Sequence, residues 1–249
     1  MIEEQDFLVY LDSPLAEQLV EDTGLSGQIT RGNCKMANNN CLMLVEANFG
    51  ADKANYFVRR SIRLDQVISK GGDVDTTMII KWRNESPNAS WPGGPYKNYL
   101  RWLLPEGAKL REVDLGDKRT ASISGTLTAA VLAAIPPDQF LVFQSSESGY
   151  LSYGTLINIP VQEERILKIV YRSPFKLDFT KTQQDYTITF LKQPGVEPTT
   201  VDFALDYPSF LRPVMDSPEK GVSVLALPQK LIYNMDLAKD RTITVKFKR

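Results

Sequence analysis

Apolar and polar residues alternate along most of the chain beyond residue 54. In TVDFALDY at 200–207, Val201, Phe203 and Leu205 fall on one face, and RTITVKFK at 241–248 repeats the pattern. Because successive side chains of a strand point to opposite faces, this period of two predicts strands with one buried face. Many short strands separated by Gly, Pro and Asn are typical of a sandwich. We predict a mainly β fold of antiparallel, immunoglobulin-like β-sandwich units.

The same alternation predicts the register of one hairpin. A three-residue loop at 71–73 keeps the apolar side chains of both strands on one face. A two-residue loop would oppose Ile62 to Lys81 and scatter apolar groups over both faces. The preferred loop opposes these pairs: Ile62 and Trp82, Leu64 and Ile80, Gln66 and Met78, Ile68 and Thr76.

The N-terminal stretch FLVYLDSPLAEQLVEDTGLSGQI, at 7–29, predicts a strand followed by a short helix. Ser13 is placed to cap the helix, Pro14 suits its first turn, and Gly24 can end it. An apolar stripe runs along this helix and consists of Leu15, Leu19 and Val20. A second apolar run, LTAAVLAAI at 127–135, fits either a helix or a strand. We divide the chain into a small α/β segment at 1–54, a β-sandwich at 55–173 and a second sandwich-like unit at 174–249.

Composition excludes several classes of function. The 29 Lys and Arg residues are balanced by 30 Asp and Glu, which argues against nucleic acid and anionic membranes as partners. The run at 127–135 is about half of what a bilayer span needs, so we expect no transmembrane segment in this fragment. The chain has no histidine, which removes Ser-His-Asp and Cys-His catalysis and His-ligated zinc. We therefore expect no catalytic residue, no metal and no cofactor.

The two cysteines, Cys34 and Cys41, lie in GNCKMANNNC, a stretch rich in Asn and Gly. Their spacing permits a small disulfide-closed ring, which would indicate an exported protein. The alternative is a pair of independent thiols, buried as small hydrophobic groups.

Three loops carry candidate binding residues. In NFGADK, at 48–53, the side chains of Asn48, Asp52 and Lys53 could hold a sugar hydroxyl or an ion. The structural interpretation, which we favour, is a turn that leads into the first long strand. In LKQPGVEP, at 191–198, the simplest interpretation is the tip of a hairpin. A direct contact of Lys192 or Gln193 with a partner is the alternative.

The third loop, ESPNASWPGGPYKNYLRW at 85–102, is rich in aromatic residues: Trp91, Tyr96, Tyr99 and Trp102. Exposed rings of this kind stack on sugars or contact apolar partners. The alternative, which we favour, is that Trp91 folds back as a plug over the end of the sandwich.

Three signatures along the chain are specific in combination: Asn-x-Gly-x-x-Lys at 48–53, Trp-Pro-Gly-Gly-x-Tyr-Lys-x-Tyr at 91–99 and Lys-Gln-Pro-Gly at 192–195. With these, most of the chain resembles the C-terminal portion of the bacterial domain-of-unknown-function 4012 family. The resemblance implies a single-pass envelope protein without a known activity, often encoded beside cell-surface polysaccharide functions. The chain departs from the family's pattern in lacking an anchor and in having Asp52 where Asn is usual.

The resulting functional hypothesis is a non-enzymatic module of a membrane-anchored bacterial envelope protein. It would lie outside the cytoplasm at the cell surface, anchored through a region missing from this chain. Its expected partner is a cell-envelope protein or a polysaccharide. The alternative is a glycan-binding module or a carbohydrate-active enzyme that uses Asp or Glu and the loop aromatics.

Overall fold

The structure is a computed structural model that describes residues 6–23, 25–29, 34, 40–116, 119–124, 139–215 and 217–249. The predictions at Gly24 and at 127–135 lie outside these residues. The described part contains one α-helix, a short 3-10 turn at Ala54–Phe57 and fifteen strands. The elements are α1 Pro14–Asp22, β1 Asn40–Asn48, β2 Val58–Ile68, β3 Asp73–Asn84, β4 Tyr96–Pro105, β5 Lys109–Asp114, β6 Arg119–Ser124, β7 Gln139–Glu147, β8 Tyr150–Ile159, β9 Glu164–Lys176, β10 Gln183–Leu191, β11 Thr200–Asp206, β12 Arg212–Met215, β13 Val222–Leu227, β14 Lys230–Asp236 and β15 Arg241–Lys248.

The strands form two sheets arranged as a sandwich, which confirms the mainly β prediction. The first sheet has the order β12-β15-β10-β1-β4-β8-β7-β6, and the second has the order β13-β14-β11-β2-β3-β9-β5. One large core cluster contains side chains of both sheets. The alternation along β11 and β15 is confirmed, since Val201, Phe203, Ile243 and Val245 are buried.

The sheets are mixed rather than antiparallel throughout. The pairs β1–β10, β2–β11 and β6–β7 are parallel. The immunoglobulin-like arrangement consists of antiparallel sheets, so the immunoglobulin-like part of the fold prediction is not confirmed. A parallel pair cannot be joined by a tight hairpin turn, and the pairs β1–β10 and β2–β11 join strands that are far apart in the sequence.

The strands before and after residue 173 belong to the same two sheets. β9 runs through residue 173, and β10 and β11 pair with β1 and β2 in the interior of the sheets. The ranges 1–54, 55–173 and 174–249 are therefore joined by strand pairing and share the core.

The β2–β3 hairpin has the predicted faces but a different register. Ile62 pairs with Ile80 and Leu64 with Met78, two residues away from the predicted partners. Ser69 N donates to Asp73 O at 2.8 Å, so the loop is 70–72 rather than 71–73. A shift of two residues keeps every side chain on its predicted face, which is why the apolar pattern did not reveal it.

The N-terminal segment has the predicted helix without the predicted strand. α1 begins with Pro14 at its first turn, but Ser13 makes no side-chain cap. Leu15 and Leu19 are 80% and 64% exposed, and only Val20 of the predicted apolar stripe is half-buried. Val9 forms only an isolated bridge. No helix in the described ranges is long and apolar enough to cross a bilayer.

Cys34 and Cys41 form a disulfide, so the first of the two interpretations is correct. The bridge belongs to a small apolar cluster with Met43, Leu103 and Tyr150. Tyr150 OH donates to Cys34 O at 3.1 Å. The bridge thus attaches Cys34 to β1 of the first sheet.

Removing this bridge in a Cys34→Ser, Cys41→Ser double variant is expected to lower the free energy of unfolding by about 2.5 kcal/mol, because the unfolded chain gains loop freedom. Urea unfolding of the parent and the variant measures the difference. Reductant should move the midpoint of the parent and leave that of the variant unchanged. An equal midpoint for both proteins would contradict the prediction.

Candidate binding site

Three loops meet at one end of the sandwich, which we name the loop end: 49–57, 85–95 and 192–199. Each connects one sheet to the other, joining β1 to β2, β3 to β4 and β10 to β11. Because β1 runs parallel to β10, their crossovers leave from the same end. LKQPGVEP is therefore a crossover and not the predicted hairpin tip. Three stretches that are far apart in the sequence lie together here.

The NFGADK loop is a hydrogen-bonded turn, as the structural interpretation predicts. Asn48 Oδ1 accepts from Gly50 N at 2.8 Å, and Asn48 Nδ2 donates to Asp52 O at 3.1 Å. Asp52 Oδ1 accepts from Ala54 N at 3.1 Å. Lys53 N donates to Pro92 O at 2.8 Å, while its side chain is exposed. Asn48 and Asp52 thus shape the turn, and the Lys53 backbone attaches it to the neighbouring loop.

Trp91 is 73% exposed, so the predicted plug is wrong. Its loop is held from below: Asn84 Nδ2 donates to Gly94 O at 2.8 Å, and Gln162 Nε2 donates to Ser86 O at 2.7 Å. These bonds satisfy the backbone of the loop without using the indole ring. The ring is therefore presented to solvent on a fixed support.

Of the four aromatic residues predicted in this loop region, only Trp91 is exposed. Tyr96 and Trp102 are 1% and 0% exposed, so neither is a surface ring. Tyr99 is half-buried and packs edge-on against Phe49, with ring centroids 5.7 Å apart. Phe49, at 62%, and Tyr56, at 69%, supply the exposed rings that the sequence analysis missed.

A buried ion pair lies beneath the loop end. The side chains of Arg60 and Glu46 are 7% and 6% exposed, and Arg60 Nε lies 2.9 Å from Glu46 Oε2. The Glu46 carboxylate also accepts from Trp82 Nε1 and from Tyr96 OH, both at 2.8 Å. The two carboxylate oxygens of Glu46 therefore accept hydrogen bonds from three side chains.

The negative charge of Glu46 stabilises the protonated forms of its neighbours Arg60 and Tyr96. Burial lowers the pKa of Arg60, but the charge of Glu46, the Tyr96 hydroxyl and the hydrogen bonds to both together outweigh it and leave the pKa above its ordinary value. Burial and the same negative charge raise the pKa of Tyr96. Both side chains thus keep their protons at neutral pH. The alternation along the sequence could have indicated that Arg60 is buried, because Arg60 falls on the apolar face of β2 between Val58 and Ile62.

The loop 192–199 attaches to β1 through a side-chain clamp. Gln193 Oε1 accepts from Glu46 N at 2.7 Å, and Gln193 Nε2 donates to Glu46 O at 2.8 Å. Lys192 is 3% exposed, and its Nζ lies 2.6 Å from Asp6 Oδ1. Both residues named as candidate partner contacts are thus engaged within the protein.

Two adjoining cavities open at the loop end. The Tyr56 cavity has a volume of about 220 Å³ and is lined by Asn48, Asn55, Tyr56, Arg60, Gln193 and Glu197 among others. The gap cavity, of about 360 Å³, lies beside the start of β2. Arg60 and Glu197 line both. Glu197 is exposed and has no ion pair or hydrogen bond within the described residues.

The walls of the Tyr56 cavity carry two carboxylates in different settings. Glu46 and Glu197 line the same cavity, and paired carboxylates are what a glycosidase uses. The Glu46 carboxylate, however, is already shared by Arg60, Trp82 and Tyr96, so a single free carboxylate remains. Among the described residues, no three His, Cys, Asp or Glu side chains could hold a metal ion.

No family model and no curated protein matches the chain. Solved structures with a distant likeness include the following three. A protein described as nutrient-binding from Legionella pneumophila has 9% identity and a TM-score of 0.45 over 84% of this chain and 70% of its own. The M1 zinc metallopeptidase from Deinococcus radiodurans has 8% identity and a TM-score of 0.36, over 77% of this chain and 42% of its own. Yeast LTA4 hydrolase in complex with bestatin has 12% identity and a TM-score of 0.41, over 82% of this chain and 31% of its own.

The chain spans less than half the length of the metallopeptidase and of the hydrolase. Likenesses this weak show neither a shared activity nor a shared ligand.

Proposed function

We propose that this chain is a non-catalytic module outside the cytoplasm that binds saccharide chains of the bacterial cell envelope. The observation that carries the proposal is the Tyr56 cavity, which is lined by an exposed aromatic ring and by several planar polar side chains. The disulfide between Cys34 and Cys41 supports an exported location. The resemblance to the domain-of-unknown-function 4012 family supports the envelope.

Saccharides combine the two kinds of surface that this cavity offers. The C–H face of a sugar ring packs on an aromatic ring, while its hydroxyls need donors and acceptors. Asn48 Nδ2 donates to Asn55 Oδ1 at 3.3 Å, which leaves Asn55 Nδ2 with no partner in the described chain. The Glu197 carboxylate likewise has no partner in the described chain. The site thus offers a donor and an acceptor beside the ring of Tyr56.

A protein partner is the second candidate, and β13 favours it. This strand is the edge of the second sheet, and its Leu225 and Leu227 are 54% and 42% exposed. An exposed apolar edge strand can pair with a strand of another chain. Binding to an envelope protein that survives loss of the Tyr56 ring would support this candidate.

A Tyr56→Ala variant is expected to bind saccharide about tenfold more weakly, because it loses the stacking wall. A glycan array identifies the ligand, and calorimetric titration gives both affinities. Tyr10→Ala is the matched control, since Tyr10 is 76% exposed and lines neither cavity. Absence of saturable binding to any saccharide by the unaltered protein would overturn the proposal.

A further inference from the structure

The gap cavity arises from unequal pairing along β2. β2 pairs with β3 from Val58 onward, but it pairs with β11 only from Ser61, opposite Thr200. The first three residues of β2 therefore have a strand neighbour on one side alone. The chain before Thr200 turns away toward the first sheet, and the cavity fills the space that it leaves.

Four cationic residues line this cavity: Arg59, Arg60, Lys81 and Arg83. Arg59 and Arg83 lie directly opposite each other on adjacent strands. Like charges in this position destabilise a sheet, and Glu164, which lies opposite Arg83 on β9, pairs with Lys81 instead. An anion between the two guanidinium groups would remove the repulsion.

The partners of these cations leave room for a ligand. Arg59 pairs with Glu85 at 3.2 Å, and their side chains are 64% and 49% exposed. Lys81 pairs with Glu164 at 3.0 Å, and their side chains are 44% and 42% exposed. Exposed pairs of this kind contribute little and exchange readily. Arg83 makes no ion pair or hydrogen bond within the described part of the chain.

We propose that the gap cavity binds an anionic substituent, a carboxylate or a phosphate, of the saccharide whose uncharged part occupies the Tyr56 cavity. The inference rests on the proposed function and narrows its ligand to acidic polysaccharide chains. Arginine binds both anions through paired N–H donors. Arg60 and Glu197 line both cavities, so one chain can occupy the two together. Glu197 faces the hydroxyls of that chain and repels its charge.

Calorimetric titration with three saccharide probes tests the inference: a neutral oligosaccharide, an oligogalacturonate and a glycerol-phosphate polymer. We expect the acidic probes to bind more tightly than the neutral one and to lose affinity with added salt, because salt screens the charges. The stronger of the two acidic probes identifies the substituent as carboxylate or phosphate.

Variants separate the charged contact from the rest of the site. Arg83→Gln should weaken binding of the acidic probe about tenfold and leave the neutral probe unchanged. Glu197→Gln should strengthen binding of the acidic probe. Lys168→Gln is the control, because Lys168 is an exposed cation of the same sheet that pairs with Glu112 and lines neither cavity. Equal denaturant midpoints would show that the variants are folded.

The outcomes distinguish the two proposals. If the neutral probe binds as tightly as the acidic ones and Arg83→Gln changes nothing, the gap cavity proposal fails and the proposed function stands. If inorganic phosphate or free galacturonate binds with dependence on Arg83 while no saccharide chain does, the anion site stands and the proposed function fails.

Discussion

Replacing Glu46 by leucine is expected to lower the free energy of unfolding by about 3–5 kcal/mol, the usual cost of breaking a buried ion pair. The change leaves Arg60, whose side chain is 7% exposed, without its counter-charge. It also removes the acceptor of the Trp82 indole and of the Tyr96 hydroxyl. Three buried donors lose their partner together, which places the loss well above that of an average substitution. Urea unfolding followed by tryptophan fluorescence measures it.

Two further variants make this expectation specific. Glu112→Leu removes one partner of an exposed pair, in which Lys168 and Glu112 are 39% and 48% exposed, and should cost at most about 1 kcal/mol. The double variant Glu46→Leu, Arg60→Met should recover much of the loss, because no buried charge remains unpaired. A single Glu46→Leu variant as stable as Glu112→Leu would show that water solvates Arg60 freely.

The sequence predicted the faces of the strands better than their partners. In the β2–β3 hairpin, the apolar residues expected to share one face, such as Ile62, Leu64 and Ile80, are buried, although the register differs by two residues. The loop is decided by local contacts that a period of two does not contain. Gly72 takes a φ of 90°, and Ser69 Oγ accepts from Asp73 N at 3.0 Å. Glycine adopts this conformation without strain, so the turn closes one residue earlier than predicted.

The parallel pairs were not predictable from the periodicity. A hydrophobic period of two residues shows which face of a strand is buried, but it does not show whether the neighbouring strand runs parallel or antiparallel. β1 was missed for a related reason, since CLMLV is a continuous apolar run without alternation. Such runs are typical of a strand in the interior of a sheet, and β1 lies between β10 and β4.

The candidate site was predicted in parts and assembled by the topology. The sequence singled out NFGADK, the Trp91 loop and LKQPGVEP separately, and the three crossovers bring them together. The charged residues that give the site its chemistry were missed. Arg59 and Arg83 become neighbours only through the β2–β3 register, and the exposure of Trp91 depends on how Gly94 and Pro92 are held.

A Phe203→Ala variant is also expected to cost about 3–5 kcal/mol, because the removed ring leaves a cavity in a close-packed core. Phe203 is 0% exposed. Its ring stacks on Tyr233 in the same sheet at 5.7 Å and meets Phe190 of the other sheet edge-on at 5.9 Å. Leu225→Ala is the control, since Leu225 is 54% exposed and its loss should change stability by no more than about 0.5 kcal/mol.

The shape of the unfolding curve of Phe203→Ala carries a further consequence. Phe203 lies in β11, which pairs along its whole length with β2, so the ranges 55–173 and 174–249 share strand pairing as well as the core. We therefore expect fluorescence and circular dichroism to follow one cooperative transition, shifted to lower urea. Two separate transitions, with only the second shifted by the substitution, would instead show that 174–249 folds as an independent unit.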